Sequence, residues 1–176
     1  MKSTGVIRRI DDLGRIVIPK EIRKNLRIKE GDNLEVYVEG EDIILKKYSM
    51  MNKINDLSQE LTDAIYTFTK HNVFITDTDL IIAGSGKLKK NYINKPISNF
   101  LEKSIKRRDK ILENHFKELS FIDSEEIECS YILSTILVNG EAVGMIVIIS
   151  EDEKLSEVEM QLASIVSSFM TKYLEQ

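Results

Sequence analysis

Nine cations fall within the first 29 residues: Lys2, Arg8, Arg9, Arg15, Lys20, Arg23, Lys24, Arg27 and Lys29. Three acids accompany them, Asp11, Asp12 and Glu21, so this stretch carries a net charge of +6. Such a cluster suits the binding of polyanions. A guanidinium offers a planar fork of donors to phosphate oxygens and to the edge of guanine. Cations gathered on a small scaffold make an electrostatic footprint for nucleic acid. The remainder has the opposite sign. Residues 54–176 hold thirteen cations against twenty acids, a net of −7, so the overall charge of −4 conceals two unlike halves. That asymmetry points to a basic binding module joined to a second domain.

Other chemistry is thin. One cysteine, Cys129, and two histidines, His71 and His115, give no metal-ligand spacing and no nucleophile paired with a base. No catalytic residue and no metal is therefore assigned. Gly84-Ser85-Gly86-Lys87 has the glycines of a phosphate loop but lacks the Walker spacing. Asp123-Ser124-Glu125-Glu126 reads as a solvated loop, and Cys129 as a small buried hydrophobe within a strand. No run of about 20 apolar residues occurs and no apolar leader precedes the first strand pattern, so a cytoplasmic protein with no membrane partner is expected. A single cysteine fits a reducing compartment.

The elements that must carry the basic cluster follow from local signals. Residues 4–10 read as a strand rich in β-branched side chains, Asp11-Asp12-Leu13-Gly14 as a turn, and Arg15 to Ile18 as a second short strand. Pro19 suits the first position of a helix, where its missing N–H is not needed, and Lys20 to Leu26 supplies about two turns. Gly31-Asp32 is another turn. Leu34, Val36 and Val38 alternate with polar residues, Gly40-Glu41-Asp42 closes a hairpin, and Ile43-Ile44-Leu45 returns to Lys46-Lys47. On this scaffold the candidate DNA contacts rank as Arg8 and Arg15, then Arg23 and Lys24 at the end of the helix, then Arg9. Arg9 ranks last because neighbouring residues of a regular strand point to opposite faces. Gly14 and Pro19 are structural, and Asp11 and Asp12 shape the turn or hold an arginine. A unit of about 48 residues with no disulfide and no metal is marginal alone. Dimerisation by exchange of hairpins is the route left to it.

Residues 52–70 read as a helix with Ile54, Leu57, Leu61, Ala64/Ile65 and Phe68 along one seam. It either pairs with its copy or packs on its own domain. Residues 73–83 read as a hairpin, Ser98 as the cap of a helix over 99–107, and 109–126 as mixed. Cys129 to Val138 and Val143 to Ile149 flank Asn139-Gly140, the strongest hairpin turn signal in the chain. Ser156-Glu157-Val158-Glu159 is a capping box opening a helix to about Leu174, with Val158, Leu162, Ile165/Val166, Phe169 and Tyr173 on one stripe. Strands and helices in this order make an α+β domain. The expected division is 1–50 for the DNA-binding and dimerising domain, 51–70 for a linker helix and 71–176 for the second domain.

Arg8, the run Leu13-Gly14-Arg15-Ile16-Val17-Ile18-Pro19, Arg23 and Gly31-Asp32…Leu34-Glu35-Val36 resemble the AbrB-type swapped-hairpin DNA-binding domain, a fold shared with MazE-like antitoxins. Residues beyond it are similar in element order to a GAF-type sensory domain. The whole resembles transcriptional regulators of endospore-forming bacteria. The resemblance implies an N-terminal swapped-hairpin β-barrel dimer, joined by a helix to a GAF-like antiparallel sheet with flanking helices. It implies arginines on double-stranded DNA and control, by activation and repression, of forespore genes. The family commonly has Arg where Lys24 stands, and Lys keeps the charge without the bidentate fork. GAF-like folds often hold a small ligand over one sheet face, and Phe74, Tyr92 and Tyr131 fit either such a pocket or a core. No residue names a ligand, so no cofactor is assigned beyond an unidentified small molecule. The two apolar seams favour a tetramer built as a dimer of dimers. The alternative is an antitoxin-like module that neutralises a toxin partner, against which stands the length and order of the second half.

Overall fold

Asn139 and Gly140 form the tight turn their types predict, with φ of 50° and 79°. The strands they join are the centre of the second half. In the computed structural model, which describes residues 5–176 (for Asn52 the backbone alone), the chain divides into two compact units meeting in sequence at Tyr48 and Ser49.

In the first unit, α1 (Lys20–Asn25) follows Pro19 at its N-cap, one position earlier than expected. β1 (Leu34–Glu39) and β2 (Asp42–Lys47) pair antiparallel from Leu34↔Lys47 to Glu39↔Asp42. The strands expected over 4–10 and 15–18 form no ladder among the described residues, and Thr4 lies outside them. What the sequence built there is a hairpin tip. Asp11 N–H donates to Arg15 O and Gly14 N–H to Asp11 O, both at 3.0 Å. A strand exists only by its partner. These two arms carry the right residues but form no strand ladder among the described residues.

The apolar face of this unit is bare. Ile7 is 91% exposed, Val38 75%, Val17 73%, and Leu13 and Ile43 70% each. Alternation in β1 was legible, but its Val36 and Val38 face solvent rather than a core.

The second unit has three layers. Its sheet runs β4 (Ile81–Ser85), β3 (Asn72–Thr76), β7 (Glu141–Ser150), β6 (Glu125–Val138) and β5 (Lys110–Ile122), antiparallel throughout. Side chains alternate between two cores. Phe74, Leu133, Met145, Val147 and Ile149 face one side. Val73, Ile75, Ile132, Ile146 and Ile148 face the other. Onto the first side pack α3 (Lys89–Tyr92) and α4 (Asn99–Arg107), through Tyr92, Leu101 and Ile105. Onto the second pack α2 (Asn55–Thr69) and α5 (Glu157–Leu174), through Ile65, Met160, Ala163 and Met170. Ser98 caps α4 by accepting from Leu101 N–H, and the Ser156–Glu159 capping box opens α5.

Gly144 and Gly84 are among the glycines fixed by close approach. A Cβ on Gly144 would lie 2.1 Å from Thr76 O, and one on Gly84 2.6 Å from the Phe74 ring. That ring closes an aromatic trio with Tyr92 and Phe121, with centroids 4.9–5.8 Å apart. Phe74, Tyr92 and Tyr131 therefore belong to the core between sheet and helices. Burial pushes the Tyr92 phenol up to about 12, with the Glu125 carboxylate adding to the shift.

The seam expected on α2 is turned partly outward. Ser58, Thr62 and Ile65 are buried, whereas Leu57 and Leu61 are half-buried and Phe68 is 70% exposed. Polar bonds set this rotation. Gln59 Nε2 donates to Gly84 O at 3.0 Å, and the Ser85 hydroxyl donates to Asp63. The helix expected as a linker thus lies against β3 and β4 as part of the second unit.

Candidate nucleic-acid interface

Asp11 organises the hairpin tip. Its Oδ1 accepts from Leu13 N–H at 3.0 Å and from Arg15 N–H at 2.7 Å, and its Oδ2 accepts from Arg15 Nε at 2.7 Å. These bonds, the Arg15 backbone N–H first and its guanidinium second, hold the Asp11 carboxyl below its usual range. Asp is the side chain that reaches back to its own following backbone in this way. Gly14 completes the turn at φ +76°, a conformation that a side chain would strain. Asp11 thus both shapes the turn and holds an arginine.

The consequence for Arg15 is chemical. Its side chain is 71% exposed. Nε is tied to Asp11, and no bond among the described residues uses its terminal nitrogens, the two that make a bidentate contact with phosphate or guanine. The tip presents a cation already oriented.

The other expected contacts lie on the same unit. Arg8, Arg9, Arg23 and Lys24 are all exposed. Arg23 and Lys24 occupy the last turn of α1, where cations also complement the helix dipole. Arg8 lies on the wall of a groove of about 310 Å³ lined by Ile16, Pro19, Ile22, Ile43 and Leu45. Pro19 is buried. Glu21 is exposed, in the first turn of α1.

One cation of the basic cluster was left out of the ranked contacts. After α1, Ile28 N–H donates to Arg23 O at 2.8 Å and Arg27 N–H to Lys24 O at 3.3 Å. This is a Schellman motif, whose left-handed position usually holds glycine. Here it holds Arg27, at φ 54°. A bulky residue in that conformation carries strain of about 1–2 kcal/mol. The signal available in sequence was a cation at the end of a short helix with no glycine to stop it. A second anchor lies close by. Asp32 Oδ2 accepts from Lys29 N–H at 2.7 Å and meets Lys47 Nζ at 3.0 Å. Partial burial of Asp32 raises its pKa, but those two partners outweigh it and the carboxyl sits below its usual range.

Comparison with known proteins places these features. Residues 53–175 match the family described as stage V sporulation protein T C-terminal, transcription factor. The full chain is 44% identical over 178 aligned residues to stage V sporulation protein T of Bacillus subtilis (strain 168), covering 100% of both. The chain belongs to the stage V sporulation protein T family.

Residues 7–53 also match the family described as antidote-toxin recognition MazE, bacterial antitoxin. Over 48 residues, 27% of this chain and 50% of the relative, it is 62% identical to the transition state regulatory protein AbrB of B. subtilis (strain 168). The second unit has the GAF fold. The GAF domain of an Acinetobacter phosphoenolpyruvate-protein phosphotransferase superposes with a TM-score of 0.57 at 12% identity, over 73% of this chain and 84% of that one. The protein is thus a member of a sporulation transcription-factor family, with an AbrB-like N-terminal part and a GAF-like antiparallel sheet after it. No helix of the described residues is long and apolar enough to cross a membrane.

Proposed function

We propose that this protein regulates transcription during endospore formation, in the cytoplasm, by binding double-stranded DNA through Arg8, Arg9, Arg15, Arg23 and Lys24, with Arg27 added to that set. The observation that carries the reading is the Asp11-anchored Arg15 on an exposed tip, in a member of a transcription-factor family. The proposal assigns it no catalysis.

The DNA-binding form is a dimer that exchanges the first-unit hairpins. Full burial of one Val, Leu or Ile stabilises by about 1.5–3 kcal/mol. Ile7, Leu13, Val17, Val38 and Ile43 together leave on the order of 8–15 kcal/mol ungained, comparable to the whole stability of a small domain. A second copy supplies complementary arms for the unpaired strands and doubles the cations about a two-fold axis, which suits paired half-sites. Two such dimers join through the second unit. Val158, Ile165, Phe169 and Tyr173 are 46–65% exposed along α5 at helical spacing, and Phe68 adds to the apolar surface of α2. Static light scattering tests the assembly. The wild type is expected as a tetramer, and Ile165→Glu with Phe169→Glu as a dimer that still binds DNA. A wild-type dimer stable at micromolar concentration sinks the tetramer.

Fluorescence anisotropy of the full chain on promoter DNA across a salt series tests the function. A protein neutralising about 6–10 phosphates loses about 10³- to 10⁵-fold in affinity between 50 and 200 mM salt. Absence of binding by the folded protein refutes the reading. It would instead favour the antitoxin-like alternative, which rests on the match over residues 7–53.

A further inference from the structure

The acidic second half contains one strongly basic stretch. Residues 87–110 hold nine cations against two acids, Glu102 and Asp109, a net of +7. The rest of 54–176 holds four cations against eighteen acids, a net of −14. The segregation is spatial as well. Lys103, Lys106 and Arg107 stand at helical spacing on the outer face of α4, opposite the buried Leu101, Ser104 and Ile105. Lys90 of α3, Arg108 at the left-handed cap of α4 and Lys110 at the start of β5 are exposed beside them in sequence.

Two ion pairs among the described residues lie at the ends of this layer. Arg107 is held by Asp109 at 2.7 Å, and Lys87 reaches only 3.8 Å from Asp152, with both side chains 82% exposed. Among the described residues, no ion pair involves Lys90, Lys103, Lys106, Arg108 or Lys110. A solvated helix face ordinarily interleaves the two signs, because like charges at neighbouring positions destabilise it. On α4 one acid, Glu102, stands against three cations, Lys103, Lys106 and Arg107. It also lies across the sheet from the bare apolar stripe of α5, so self-assembly through that stripe leaves the basic layer free.

We propose that the α3–α4 layer is a second DNA-contacting surface, one that meets the phosphate backbone of duplex DNA without reading bases. The inference rests on the DNA-binding reading above. Duplex DNA matches the sign and the breadth of the patch, since it presents one negative charge per about 1.7 Å of its axis. Lysines on flexible stems suit sequence-independent contact, whereas the arginine-rich first unit suits readout. The layer adds affinity and leaves specificity to the N-terminal tips.

The test uses the full chain and a promoter duplex extending well beyond the operator, with Lys103→Gln, Lys106→Gln and Arg108→Gln combined. All three residues are exposed, and unchanged thermal unfolding confirms an intact fold. Neutralising three fewer phosphates lowers the slope of log affinity against log salt by about 2.7 per engaged chain, so the wild-type advantage shrinks about 40-fold from 50 to 200 mM salt. Lys103→Arg with Lys106→Arg retains the wild-type slope. Equal slopes for wild type and the glutamine variant overturn the proposal. If wild-type binding remains salt-steep in that case, the N-terminal reading stands and the patch fits an acidic polypeptide instead. Binding by the wild type with no salt dependence overturns both readings.

Discussion

Replacing Arg15 and Asp11 separately distinguishes a cation that merely adds charge from one that the fold has aimed. Arg15→Ala removes one guanidinium per chain from a tip whose other bonds remain, since Asp11 still accepts from the Leu13 and Arg15 N–H groups. Folding is expected to be unaffected. With each of two chains neutralising one phosphate fewer, the salt slope falls by about 1.8, and the wild-type advantage shrinks about twelve-fold between 50 and 200 mM salt. Asp11→Ala keeps every cation, so its slope stays at the wild-type value. Arg15 loses its anchor, however, and must be ordered on binding, which weakens affinity by about two- to twelve-fold per tip. Charge alone predicts the reverse, because deleting a carboxylate beside DNA reduces repulsion. Anisotropy titrations of the three proteins at four salt concentrations decide the matter. Tighter binding by Asp11→Ala, with a steeper slope, refutes the reasoning that Asp11 aims the guanidinium.

Two further outcomes concern the second unit. Gly144→Ala puts a Cβ 2.1 Å from the Thr76 carbonyl oxygen, a backbone atom that cannot swing away. A loss of about 3 kcal/mol or more is expected in urea unfolding, and a loss below about 1 kcal/mol contradicts the packing. Burial first, and the Glu151 carboxylate second, push the Cys129 thiol up to about 12 from its ordinary 9.0. The folded state therefore keeps a proton that the unfolded chain gives up, so stability is whole below about pH 9 and is lost as pH rises towards about 12. Cys129→Ala flattens that alkaline slope, and native Cys129 resists thiol reagents at neutral pH. Rapid stoichiometric labelling of the folded protein contradicts its burial.

Where the sequence was legible, the chemistry was local. Ser98, Ser156 with Glu159, and Asn139-Gly140 each satisfy or bend the backbone within a few residues, so their types suffice to place them. Reading failed where the deciding partner is remote. The face of α2 was legible only in part: Ile54 and Ile65 are buried and Leu57 and Leu61 pack on the core as expected, but Gln59 and Asp63 bond to β4, some 25 residues on, and bring Ser58 and Thr62 inward while Phe68 turns out. The segment 109–126 looked mixed because β5 slips register between Glu113 and Lys117, which breaks the period-two pattern. Among the basic residues, Arg15 was legible from its glycine turn, whereas Arg27 owes its left-handed conformation to hydrogen bonds that no composition reveals.

The remaining mismatch between pattern and structure is itself informative. Residues 5–18 have the composition of paired strands and no ladder among the described residues, and Val158, Ile165, Phe169 and Tyr173 have the spacing of a packed seam and no cover. Exposed apolar area of this extent is costly in water, which is what supports the proposed association with further copies of the chain. The cations are distributed differently: those proposed to meet DNA lie on the first unit and on the α3–α4 layer, not on the α5 stripe. Association and DNA contact can therefore be separated by substitution. Charge placed on α5 alters how many copies join, whereas charge removed from α4 alters how steeply binding depends on salt. A variant that changed both together would mean that the two surfaces are coupled through the sheet between them.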